Sequence, residues 1–173
     1  YFIPTALGSS ILPALLLARS ANAEAYRIRF QQYYDLSAAL AYGLAVPIAL
    51  AARWLADIAY GDSFNEVGPI LAVHIWSSIF VLLGVARGQW LVNERLSRFY
   101  LVSTLAGAFV NVALNFVFIP IWGGLGAAWA TVFAYACAAW LASYLHPAVR
   151  QTARMQTRAI LIPFFGWRYF SRR

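Results

Sequence analysis

Long apolar blocks alternate with short polar stretches along this chain. An α-helix needs roughly 20 apolar residues to cross a bilayer's hydrocarbon core. Four blocks have that length, at 36–59, 69–92, 99–121 and 124–145, and each predicts a complete transmembrane helix. Residues 1–18 carry no charge and end at Arg19. They read as the exit end of a fifth span whose start lies upstream, kinked by Pro4 and Pro13. Membrane helices tolerate such prolines when neighbours re-satisfy the freed carbonyls. Because the chain opens on Tyr1 within an apolar stretch, it is expected to be a piece of a longer polypeptide.

The polar stretches predict the connections. In 19–35, Tyr26, Phe30, Tyr33 and Tyr34 recur at helical spacing opposite Arg27, Arg29, Gln31 and Gln32. That is one apolar stripe on an amphipathic helix, expected to lie in the membrane interface. Pro47 predicts a kink in the first complete span, and Arg53 and Asp57 are spaced to pair near its end. Pro120, Gly123 and Gly124 predict a tight turn. From 147 onward a basic tail is expected, with 159–170 too short to span. Trp54, Trp76, Trp90, Trp122 and Tyr60 fall near span ends, where aromatic rings suit the headgroups.

Composition agrees. Of 173 residues 62% are hydrophobic and 11% charged, against about 25% charged in soluble domains. The net charge is +7 from 13 basic residues, all of them arginine. They do not form a stripe along a groove, which argues against nucleic acid as a partner. Counted by connection, 19–35 holds three arginines, 60–68 none, 93–98 two, 120–124 none and the tail six. The sides alternate as the positive-inside rule requires, so the basic side, including the C-terminus, is expected in the cytoplasm.

Motifs for catalysis, cofactors or metals are absent, so neither an enzyme nor a bound cofactor is expected. Cys137 stands alone, which excludes an internal disulfide. Intramembrane polar residues are the remaining candidates. Arg87 is a fixed cation able to meet a phosphate, or to snorkel to the headgroups. His74 is a candidate proton site, or a structural donor near the interface. Asn111 and Asn115 share one helix face, which suits either packing between helices or the wall of a substrate cavity.

Residues 111–123 (NVALNFVFIPIWG) and 126–131 (GAAWAT) resemble the closing signature of bacterial polysaccharide flippases. So do 60–62 (YGD), 74–76 (HIW), 89–91 (QWL) and 93–94 (NE), with 29–35 (RFQQYYD) resembling the link before their last four spans. The resemblance covers roughly 13–163. These flippases belong to the multidrug/oligosaccharidyl-lipid/polysaccharide exporter superfamily. Membership implies an all-α polytopic bundle, here four full spans plus one partial, forming the C-terminal portion of a two-lobe, twelve-helix transporter. It implies a bacterial inner-membrane location and a lipid-linked oligosaccharide substrate, flipped by alternating access. Implied partners are the bilayer, the N-terminal lobe and a polysaccharide polymerase complex. Arg87 would then hold phosphate, with Asn111, Asn115 and His74 contributing to the substrate path. A cation-coupled drug exporter and a non-transporting membrane scaffold are the alternatives.

Overall fold

The computed structural model describes residues 2–61 and 64–163. Asp62, Arg168, Arg172, Arg173 and the end of the 159–170 stretch lie outside the described residues. The elements run α1 (Phe2–Ala21), α2 (Ala23–Tyr60), α3 (Val67–His74), α4 (Ser77–Asn93), α5 (Ser97–Ala139) and α6 (Arg150–Ile160). Short 3₁₀ turns, Leu141–Tyr144 and Pro147–Val149, join the last two helices. No strand occurs among the described residues. Among the described residues three helical stretches are long and apolar enough to cross a membrane: Ala23–Tyr60, Val67–Asn93 and Ser97–Tyr144.

The chain folds as a series of antiparallel hairpins. Asn22 is extended, caps α2 through its side chain to the Ala25 amide, and reverses the chain between α1 and α2. Gly8 of α1 then lies against the Tyr33 hydroxyl. At the opposite end α3 follows α2, and Gly68 packs onto the Arg53 backbone. The turn at 94–96 sends α5 back along α4, bringing Gly88 against Tyr100.

The predicted turn at Gly123 occurs inside α5. Gly123 has φ 55° and ψ −134°, a backbone state open mainly to glycine. It divides α5 into limbs 97–122 and 124–139, which run antiparallel. Small residues permit their approach: a Cβ on Gly126 would overlap the Phe118 carbonyl, and one on Gly107 would overlap Ala138.

Several expectations change. Residues 19–35 and 36–59 are not separate elements; α2 is one continuous helix through Asp35. Within its polar segment Gln31 donates to Asp35 one turn on, at 2.7 Å, and to the Met155 carbonyl of α6 at 3.2 Å. The aromatic stripe does not face outward. Phe30, Tyr33 and Tyr34 are buried with Leu15, Leu83, Trp90 and Val149. Trp90 therefore belongs to the core, whereas Trp54 and Trp122 are exposed. The predicted span 69–92 is α3 followed by α4, with a tightened turn at Ile75 and Trp76. No ion pair joins Arg53 to Asp57 among the described residues.

The last correction concerns 124–145 and the tail. Regular α-helix stops at Ala139, level with Gly84, about two and a half turns short of where α4 ends. The folded tail fills that space. Helix α6 runs parallel to α2, with the Tyr34 hydroxyl bonding Thr152 and the Tyr42 hydroxyl donating to the Ile160 carbonyl at 2.9 Å. Thr152, Ala153, Met155, Gln156 and Ala159 are buried, and Arg150, Arg154 and Arg158 point outward.

Two glycines give opposite expectations. Gly126→Ala forces the limbs apart at a backbone contact and should lower thermal stability in detergent by on the order of 2 kcal/mol. Gly43→Ala meets open space within α2 and should leave stability unchanged or raise it by up to about 1 kcal/mol. Melting curves of the two variants check both signs.

Candidate functional site

Arg87 lies on α4, six residues before its end, and only 1% of the residue is exposed. It does not snorkel. Its Nε donates to the Ser143 hydroxyl at 2.7 Å, and a terminal nitrogen donates to the Ser103 hydroxyl at 3.1 Å. The Phe99 ring lies 5.4 Å from the guanidinium carbon. No carboxylate pairs with it among the described residues. A buried cation needs its donors satisfied, and here neutral hydroxyls and an aromatic face supply the compensation. In this conformation the cation joins α4, the first limb of α5 and the 3₁₀ turn after the second limb.

Two small cavities lie along the α5 hairpin. One of about 150 Å³ is lined by Arg87, Gly84, Tyr100, Thr104, Tyr135 and Ala139. The next, about 310 Å³, is lined by Thr104, Gly107, Asn111, Thr131, Tyr135 and Ala138. They share Thr104, Tyr135 and Ala138 and so lie side by side, a track between Arg87 and the middle of the hairpin whose lining is mostly apolar, with Thr104, Asn111 and Thr131 as polar points.

Asn111 and Asn115 stand at that middle. Asn115 donates to the Asn111 side-chain oxygen at 3.0 Å, and Asn111 donates toward the Thr131 hydroxyl at 3.5 Å. Thr131 in turn donates to the Ala127 carbonyl. The face shared by the two amides thus looks onto the second limb. The Asn115 side-chain oxygen is buried with no hydrogen-bond partner. This seam joins the limbs and also presents an unfilled acceptor.

His74 is elsewhere. It ends α3, is exposed, and sits thirteen residues along the chain from Arg87, about 20 Å at the helical rise. No cluster of three potential metal-ligating side chains occurs among the described residues.

Sequence reasoning missed Ser103, Ser143, Thr131 and Gln156. Gln156 is buried and donates to the Ala139 carbonyl at 2.8 Å, at the end of α5. Trp140 adds a bond to Thr157 at 2.9 Å. These contacts hold the tail helix under the shortened limb. The available signal was the period of the tail itself. Thr152, Met155, Gln156 and Ala159 fall on one helical face opposite Arg150, Arg154 and Arg158.

No family model, curated protein or solved structure matches the chain.

The buried cation gives an ordered prediction. Arg87→Met removes the charge while keeping much of the volume. Ser103→Ala combined with Ser143→Ala strands the charge without acceptors, at a cost on the order of 3 kcal/mol. The double serine variant should therefore melt at the lower temperature; the reverse order would mean that water reaches the guanidinium.

Proposed function

We propose that this chain is the closing part of a polysaccharide flippase that moves isoprenoid-diphosphate-linked oligosaccharide from the cytoplasmic to the outer leaflet of a bacterial inner membrane. In this reading α2, α3 with α4, and the two limbs of α5 are four crossings, and α1 is the end of a fifth. The rest of the transporter, a first six-helix lobe and the start of the second, would lie upstream.

The polar track on the α5 hairpin carries the proposal. A sugar needs hydroxyl and amide partners to pass an apolar layer, whereas its isoprenoid can remain in lipid. Thr104, Asn111, Thr131 and Asn115 offer such groups in sequence along a seam between otherwise apolar limbs. The exposed apolar side chains of the hairpin, among them Phe109, Phe116 and Val117, suit lipid or a second lobe. Rocking of the lobes would open the track to one side and then the other.

The distribution of charge supports the orientation. Arg19, Arg27, Arg29, Arg95 and Arg98 sit at the end of the bundle where α1 meets α2 and α4 meets α5. The Gly123 turn and the described part of 61–66 carry no arginine. With the basic end in the cytoplasm, Arg87 lies on the side where substrate loads. Contact between Arg87 and phosphate would require a conformation that releases Ser103 and Ser143.

The test uses the gene with its upstream sequence restored, in a deletion host. Asn111→Leu with Asn115→Leu should lower surface polymer about tenfold, the equivalent of roughly 1.4 kcal/mol in the limiting step. Lipid-linked precursor should accumulate on the cytoplasmic leaflet. Normal polymer in cells carrying the double variant at wild-type abundance would refute the role of the track. Normal polymer in the deletion host itself, with altered drug sensitivity, would favour a drug exporter.

A further inference from the structure

A second groove is separate from the polar track. It holds about 640 Å³ between the first turns of α2 and the outer face of α6. Four arginines line it: Arg27 from α2, and Arg150, Arg154 and Arg158 from α6. Asp35 is the one carboxylate in the lining. Positive-inside topology explains why arginines occur at this end. It does not explain why two segments more than a hundred residues apart bring them to the same groove.

Their commitments differ. Arg27 pairs with Glu24 at 2.7 Å, and Arg150 donates to the Tyr144 carbonyl at 3.2 Å. Arg154 and Arg158 are exposed and make no hydrogen bond or ion pair among the described residues. They stand four residues apart on α6, one helical turn, so both can present guanidinium groups to one anion. Tyr34, Gln31 and Tyr42 fix α6 against α2. The cations are therefore held on a rigid wall.

The surroundings select the kind of anion. Ile28 and Gln32 line the groove, and the same four-residue series continues along α2 as Leu36, Leu40 and Leu44, all exposed. An apolar rail therefore leads directly out of a cationic groove. A soluble anion would use only the groove; a phosphate carried on a lipid chain would use both.

We propose that the groove of Arg27, Arg150, Arg154 and Arg158 is a binding site for lipid-borne phosphate, with Arg154 and Arg158 as its principal ligands and Leu36, Leu40 and Leu44 supporting the hydrocarbon chain. Guanidinium groups suit this ligand because they donate paired, charge-assisted hydrogen bonds to phosphate oxygens. The two sources with this chemistry are an anionic bilayer phospholipid and an isoprenoid diphosphate. The inference does not rest on the transport reading: it stands or falls on lipid binding, whereas that reading stands or falls on surface polymer.

The experiment is native mass spectrometry of the whole chain released from neutral detergent. The chain is titrated with phosphatidylglycerol, farnesyl diphosphate and inorganic diphosphate. Arg154→Gln with Arg158→Gln should weaken lipid binding about tenfold. Arg53→Gln with Arg98→Gln, an equal loss of charge elsewhere, should leave it near the unmodified value. Arg154→Lys with Arg158→Lys should restore part of the affinity and serves as the second variant if Arg154→Gln with Arg158→Gln misfolds. Tighter farnesyl diphosphate would support the site and assign it a diphosphate; tighter phosphatidylglycerol would support it and assign a bilayer lipid. Equal losses in the two Gln pairs, or inorganic diphosphate binding as tightly as either lipid, would overturn the proposal.

Discussion

A guanidinium sits inside the bundle at Arg87, with no carboxylate partner among the described residues. Its charge is tolerable only if nearby acceptors replace water. The acceptors are Ser103 on the first limb of α5 and Ser143 in the 3₁₀ turn beyond the second limb. Three segments must therefore converge on one side chain. Bringing Ser143 to that position coincides with the end of regular helix at Ala139 and the tighter winding that follows.

Stopping a helix in the interior leaves its last carbonyls without in-helix donors. The tail answers part of this need. Gln156 donates to the Ala139 carbonyl, while Trp140 and Tyr144 reach Thr157. Helix α6 is held in place by these bonds and by the aromatic residues of α2. Its inner face completes the core beneath the α5 hairpin, and its outer face makes the wall of the arginine groove. The polar track and the groove are thus distinct features that depend on one packing arrangement.

Much of the architecture was legible in the pattern of residues. Apolar blocks located the long helices, and Gly123 marked the reversal between 99–121 and 124–145. The amides of Asn111 and Asn115 could be placed on one face from their spacing, and they do face the second limb. Burial was less legible. The stripe of Tyr26, Phe30, Tyr33 and Tyr34 suits a lipid interface or a protein core equally well. The neighbours decide it: α6 meets Tyr34 through Thr152, and α1 meets Tyr33 at Gly8. Arg87 posed the same ambiguity, since snorkelling and burial differ only in whether Ser103 and Ser143 are within reach.

The sequence by itself determined that the chain is helical, apolar enough to cross a membrane, and turned at fixed points, because these follow from local composition and from glycine's backbone freedom. It also determined that the arginines of 19–35 and 93–98 gather at one end, since hairpins of regular length sort alternate connections to opposite ends. Only the tertiary structure decided that α2 continues unbroken, that the second limb of α5 stops early, and that the basic tail packs inward. Each of these depends on hydrogen bonds between residues far apart in the chain, such as Tyr34 with Thr152 and Gln156 with Ala139. Periodicity reports which face a residue occupies, but not which partner will meet it there.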